Sequence, residues 1–410
     1  MSAIEAMYAD HLHPNEIMDV CAGYGGLSMG LAAATGASVS YVIENEPNAI
    51  EVLKVRHPEA ERLEDLKEVD WSRVRSPRWM CAGFPCQPWS DAGHKLGAED
   101  PRHLWPWVLR GIVALRPDFV LLENVRGHVK RGLPEVLADL ESAGYGGAWS
   151  VVSAASVGAP HLRKRVFVLA SRHLPAGFME VKDSGADLAD LLPTPRVSDA
   201  TGAGVRGVGG LNPREAVTLL PTPRASDVGT EGRRASEGFR PPLSQVVLPL
   251  LPTPRATDGS NGGPNQRGSS GDLAMPSVVH VDAEAWGKFA PAIERWRLTT
   301  GHPVPDATEP GARGGRRLAS RFVEWMMGLP PGYVTDVRVP DEKEMKRRLR
   351  TQKHSFPIEM VFRAMTNAAV FRLLGNGVVP PQCTRAVQLL LGTVRRSLPA
   401  FVTDGLDDQS

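Results

Sequence analysis

Four cysteines in 410 residues, Cys21, Cys81, Cys86 and Cys383, stand at no paired spacing, which argues against a disulfide framework or a zinc site and suits a reducing compartment. Long apolar runs are missing too. None can cross a bilayer, and the opening MSAIEAMYADHLHPNE carries charges where a signal peptide needs an apolar core, so a cytoplasmic protein off the membrane is expected. Neither sign of charge dominates: 47 Lys and Arg against 46 Asp and Glu leave +1, so any nucleic-acid surface has to be local. His11 and His13 have no Cys or further His nearby and read as surface polarity, so no metal is expected. Aromatics are scarce at 6%, whereas 41 Gly and 35 Pro foretell long irregular stretches. What is present, 42% apolar residues, suffices for one large core or two modest ones.

From Glu16 to about Ala170 short apolar runs alternate with amphipathic stretches, the pattern of a parallel sheet covered by helices. The expected fold class is therefore α/β, a doubly wound and mostly parallel sheet. Its first strand, Ile17 to Cys21, runs into Gly23, Gly25 and Gly26 before a helix start at Leu27. A dinucleotide fingerprint needs glycine where Ser28 stands, which weighs against a nicotinamide or flavin cofactor, although glycines still let backbone approach a ligand. The second strand, Val39 to Ile43, leads to Glu44, Asn45 and Glu46, about 20 residues beyond the glycines, where an acid can bind ribose hydroxyls. Glu46 is preferred to Glu44, with a solvated loop carboxylate fitting the spacing as well. Asp65 is placed to accept from an adenine amino group.

The stretch CAGFPCQPWSDAG puts Cys86 behind Phe84 and Pro85 on a tight turn after the buried strand Trp79 to Ala82. Taken alone, a half-buried structural thiol is the commoner fate. A helix follows with Leu104, Val108 and Ile112 on one face. The strand Phe119 to Leu122 ends in Glu123, at the carboxyl edge where open α/β sheets bind ligands, or where a satisfied structural carboxylate also sits. In APHLRKRVFVLA, Arg163 and Arg165 occupy alternate positions entering a strand and so project to one face, which a solvated basic face would equally do.

Between about Ser171 and Gly315 the chain changes character. LLPTPRVSD at Leu191, LLPTPRASD at Leu219 and LLPTPRATD at Leu250 are three copies of one unit, each followed by a Gly-rich stretch. Such repeats form turns, not a core sheet. Their Arg196, Arg224 and Arg255 suit guanine, or else pair with their own Asp199, Asp227 and Asp258. Helical spacing resumes at Leu318 and stops at Pro330 and Pro331; a basic cluster at Lys346, Arg347, Arg348 and Arg350 suits phosphates or a solvated face; and Gly375, Asn376 and Gly377 turn into a last helix, Thr384 to Leu398.

Six of these pieces, in this order, resemble the DNA cytosine-5 methyltransferases: DVCAGYGGL, GFPCQPWS, ENVRG, PHLRKRVF, RFVEWMMGLPPGY and GNGVVPPQ. The resemblance implies S-adenosylmethionine as methyl donor, held by Asp19, Cys21, Gly23, Tyr24, Gly25, Gly26, Leu27, Glu46, Pro47, Asp65, Pro85, Asn376 and Val378. It implies catalysis by Cys86, Glu123, Arg163 and Arg165, and double-stranded DNA as substrate, held in a cleft between two lobes with the target cytosine flipped out. The implied organisation is a catalytic domain over 1–170, a target-recognition region over 171–315, a part returning to the catalytic domain over 316–400 and a tail over 401–410. A monomer is expected, with a cognate restriction endonuclease as the partner such enzymes can have. The family usually has Phe where Cys21 stands, Gln where His161 stands and Ser where Gly377 stands; the last change is expected to loosen its turn. The run Pro330 to Tyr333 resembles the motif of amino-methyltransferases but lacks the acid or amide in front. An RNA cytosine methyltransferase and a non-catalytic DNA-binding protein of the same fold are the competing readings.

Overall fold

The computed structural model describes residues 13–63, 65–85, 104–183, 254, 289–310, 316–351 and 360–398. Cys86 and, apart from Pro254, the three repeats lie outside them.

Eight strands make the central sheet: β1 (Glu16–Val20), β2 (Ser38–Ile43), β3 (Glu61–Leu63), β4 (Trp79–Ala82), β5 (Phe119–Val125), β6 (Gly146–Ser153), β7 (Lys164–Ser171) and β8 (Gly177–Glu180). Their spatial order is β3-β2-β1-β4-β5-β7-β6-β8, and only β7 runs against its neighbours. The fold is thus a doubly wound, mostly parallel α/β sheet. The chain winds one way through β1, β2 and β3 and the other way through β4 and β5, so the strand order switches between β1 and β4, where such sheets open a crevice at their carboxyl ends.

The helices are α1 (Gly26–Thr35), α2 (Pro47–Arg56), α3 (Trp105–Leu115), α4 (His128–Arg131), α5 (Leu133–Ser142), α6 (Ala290–Thr300), α7 (Ser320–Met326), α8 (Glu342–Thr351), α9 (Asn367–Asn376) and α10 (Pro380–Val394). Strand residues are apolar on both faces because both faces are covered. Met18, Val20, Met80, Val120 and Leu122 meet Val108 and Ile112 of α3 and Val136 and Leu140 of α5. Ile17, Trp79, Cys81, Phe119 and Leu121 meet Leu27 and Leu31 of α1 and Cys383, Val387 and Leu390 of α10. A third cluster joins Ile293 and Trp296 of α6, Phe322 of α7 and Phe371 and Leu374 of α9 to Tyr24, Ala49 and Val52 of the sheet domain. Two small antiparallel sheets complete the fold, β9 (Thr308–Pro310) with β10 (Arg316–Leu318) and β11 (Arg338–Pro340) with β12 (Phe362–Ala364).

Several elements depart from the sequence expectation. The strand expected to stop at Leu122 continues through Glu123 to Val125, because β7 pairs with it along its whole length, Glu123 facing Phe167. β8 carries the sheet past residue 170. Residues 171–315 include a regular helix, α6, anchored by the fully buried Trp296. The last helix begins at Pro380, not Thr384, with proline in its first turn where the missing N–H is harmless, and gives way to a 3-10 turn over Arg395–Ser397. On α8, Lys346 pairs with Glu342 and Arg347 with Glu344.

Candidate active site

β1 breaks at Cys21, whose φ of 55° starts a run of left-handed residues continued by Gly23 (56°) and Gly25 (84°). This folds the loop back so that the Gly23 N–H meets the Glu44 carboxylate at 2.8 Å. The other Glu44 oxygen accepts from the N–H groups of Asn45 (2.9 Å) and Glu46 (2.8 Å), so one side chain fastens the glycine loop to the end of β2. Glu46 caps α2, accepting from the Ala49 N–H at 2.7 Å and from Asn48 Nδ2 at 2.8 Å. Between these loops lies a cavity of about 410 Å³ at the switch point of the sheet. That volume falls in the range of small-molecule sites.

Of the residues expected to bind a cofactor, Cys21, Gly23, Gly26, Leu27, Glu46, Asp65, Pro85, Asn376 and Val378 line the cavity, joined by Glu123, Ile43, Glu44, Leu66, Gly83, Leu104 and Arg372. Asp19 does not. It is fully buried behind the glycine loop, accepting from Ser28 Oγ at 2.5 Å and Cys81 Sγ at 3.4 Å. Burial pushes its carboxyl up to about 7 against the pull of those hydrogen bonds. Tyr24 is not among the lining residues; it stands behind Gly26 and Gly377 and donates to the Val378 carbonyl. Gly25 is the cap of α1, and Pro47 fills the first turn of α2.

Glu123 reaches the cavity from β5 while Arg165 Nε holds its Oε1 at 2.8 Å. Burial raises the Glu123 pKa, and the two arginines oppose the shift. Arg163 and Arg165 stand beside each other, and both act on the Glu123 carboxyl. Arg163 sits before β7 with φ 26°, fully buried, and donates to the carbonyls of Gly375 (3.0 Å) and Gly377. Burial, with Arg165 beside it, lowers its pKa to about 9. Gln382 of α10 secures this backbone, its Nε2 donating to the carbonyls of Val152 (2.9 Å) and Arg163 (2.8 Å). His161, buried and held to about 3, is neutral and bonds the Met326 carbonyl at 3.1 Å.

Sequence reasoning passed over four contributors. Glu44 was visible as the acid directly after β2, but spacing favoured its neighbour. Asn124, in the ENVRG motif, donates to the Phe84 carbonyl at 3.2 Å and so fixes the turn into Pro85. Gln382 closes the GNGVVPPQ motif but was given no role there, its contacts lying more than 200 residues away, and Arg372 lies in none of the six motifs. Acids on one wall, bare glycine backbone on another and apolar Ile43, Leu66 and Leu104 between suit an adenosine-like group, and Glu123 adds a group able to hold a proton.

Residues 15–189 match the family model of the C-5 cytosine-specific DNA methylases. Type II methyltransferase M.NgoMIV of Neisseria gonorrhoeae is 33% identical over 171 residues, covering 40% of this chain and 54% of that protein. M.NlaIV of Neisseria lactamica is 32% identical over 173 residues (38% and 41%), and M.NaeI of Lentzea aerocolonigenes 32% over 168 (38% and 39%). The chain thus spans about half or less of the length of these relatives. Among solved structures, S. pombe Dnmt2 methyltransferase superposes with a TM-score of 0.48 at 15% identity, over 92% of this chain and 99% of that one. The Entamoeba histolytica methyltransferase EhMeth does so with a TM-score of 0.48 at 13% identity, over 92% and 98%.

Proposed function

We propose, from the match of residues 15–189 to the C-5 cytosine-specific DNA methylase model, that this protein methylates C5 of a flipped-out cytosine in duplex DNA, with S-adenosylmethionine in the cavity beside Glu123. The observation that carries this reading is the buried Glu123–Arg165 pair opening into a cavity that Pro85, the residue before Cys86, also lines. The lining suits the donor: Glu46 and Glu44 would face its ribose, Asp65 its adenine amino group, and Gly23, with open space where a Cβ would stand, would let it approach backbone. When bound, S-adenosylmethionine supplies an electrophilic methyl group.

Cytosine C5 is a poor nucleophile until something adds at C6. The Cys86 sulfur, as thiolate, adds there and pushes electron density to C5. Only a few per cent of a free thiol is ionised near neutrality, so neighbouring cations aid it. Charge that reaches the ring is met at N3 by Glu123, which its raised pKa keeps able to share a proton, while Arg165 orients that carboxyl and holds the cytosine O2. Arg163 supports from behind by fixing the 375–377 backbone. After C5 accepts the methyl group, loss of its proton and elimination of the Cys86 sulfur release the product. Extruding the base costs a few kcal/mol.

The segment between β8 and α6, which contains the LLPTPR repeats, is assigned to target recognition, and a cognate restriction endonuclease is the companion proposed from the relatives being type II methyltransferases. Incubation with radiolabelled donor is expected to label duplex DNA at C5, mapped by bisulfite sequencing, and Cys86→Ser to lose that label by several orders of magnitude. Label in RNA but not in DNA, or on an exocyclic nitrogen, overturns the reading.

A further inference from the structure

Gly375 and Asn376, expected in a turn, end α9; Asn376, Gly377 and Val378 wall the cavity from the far end of the chain, and the segment is gripped from two sides. Arg163 holds the carbonyls of Gly375 and Gly377, and Tyr24 holds that of Val378. Tyr24 comes from the glycine loop on the opposite wall. It is fully buried and stands edge-on to Tyr333 at 6.4 Å between ring centroids.

Both long edges of the Tyr24 ring lie against glycine. A Cβ at Gly377 would sit 1.9 Å from its Cε1 and 2.5 Å from its Cζ; a Cβ at Gly26 would sit 2.6 Å from its Cε2. At Gly377 φ is −76° and ψ −179°, extended backbone that any residue adopts. Conformational freedom is therefore not what glycine supplies at 377. It supplies the volume that the ring fills, and the turn expected to be loosened by losing a serine is instead pinned.

We infer that Tyr24 is a positioning residue, a peg joining the two walls of the cavity, and that Gly377 is the socket it requires, so the pair sets the width of the donor site. This rests on the cavity being the S-adenosylmethionine site. The ring cannot yield to a side chain at 377, because Gly26 bounds its other edge and the Val378 carbonyl fixes its tip. Tyrosine at 24 and glycine at 377 are one change and not two.

The test is a double-mutant cycle read by donor affinity in calorimetry. Gly377→Ser is expected to weaken S-adenosylmethionine binding about ten-fold or more through overpacking, and adding Tyr24→Leu, which removes the atoms in the way, to bring affinity back to within about three-fold of the unaltered chain. Tyr24→Phe keeps ring and socket and loses only the hydroxyl; it is expected to weaken donor binding about three-fold or more. A Gly377→Ser chain that binds donor like the unaltered one, a double variant no better than Gly377→Ser, or a Tyr24→Phe chain of unchanged affinity overturns the inference. Donor-free thermal midpoints of the same chains read the coupling separately, with the double variant expected above Gly377→Ser. If the unaltered chain binds no S-adenosylmethionine, the cofactor assignment fails, and the midpoints alone decide the peg, additive losses overturning it.

Discussion

Asp19 is fully buried, and its partners are the hydroxyl and backbone N–H of Ser28 and the Cys81 thiol, with no cation among them. Its folded pKa of about 7 lies well above that of an unfolded aspartate, about 3.9. Between those values the folded chain keeps a proton the unfolded chain has lost. The contribution of Asp19 to stability is therefore full below about pH 4, falls by about 1.4 kcal/mol per pH unit as pH rises towards 7, and levels off above. Asp19→Asn is expected to flatten this decline in urea titrations between pH 5 and 7; an unchanged slope would show that Asp19 is ionised in the fold. The same residue marks where sequence reading stopped. The DVCAGYGGL motif flags Asp19 and Tyr24 as readily as Gly23 or Leu27, because all four fall in the one short stretch that runs from the end of β1 into α1. Which of them face the ligand depends on left-handed turns at Cys21, Gly23 and Gly25, and only the last two are glycines that announce them.

At the scale of elements, α1 and α10 pack unusually closely. A Cβ on Gly30 would fall 2.5 Å from Cys383 Cβ and 2.5 Å from the Pro380 carbonyl oxygen, while Thr384 Oγ1 donates to the Gly30 carbonyl at 3.0 Å. Gly30→Ala gains about 1 kcal/mol of helix propensity but meets main chain and a Cβ, neither of which can swing aside. Overpacking of this kind costs about 1–3 kcal/mol, so a net loss in the urea midpoint is expected, and a more stable variant would mean that α10 does not press on α1. The strands were legible because runs such as Trp79 to Ala82 and Phe119 to Leu122 are apolar without a break, as strands covered on both faces must be. Their ends were less so. β5 outlasts its apolar run because the partner β7 continues, and that pairing joins positions too far apart for any local pattern to reveal. The start of α10 lies four residues before the expected Thr384, because prolines at 380 and 381 suit a first turn.

Over the whole molecule, chain order and spatial order part company. Residues from β1 to β8 build the sheet, yet one face of it is covered by α1 and by α10, which lies at the other end of the described chain. A protein ending after Thr366 would leave Ile17, Trp79, Phe119 and Leu121 without α10 over them. It is expected to be insoluble or to bind the dye ANS strongly, as states with exposed cores do; a soluble, dye-silent truncation would show the face to be closed by other means. The wide separation also explains why motif order was easy to read and the lobes were not, since the third hydrophobic cluster mixes Tyr24 and Val52 with residues from Phe289 to Val379. For the ribosome the arrangement sets a delay. About 200 residues separate the end of β8 from the start of α10, so at 5–20 residues per second the nascent sheet waits about 10–40 s for its last covering helix. For that interval the emerging chain offers a sticky half-built core to every chaperone and neighbouring polypeptide, and slower translation of the middle third lengthens the exposure in proportion.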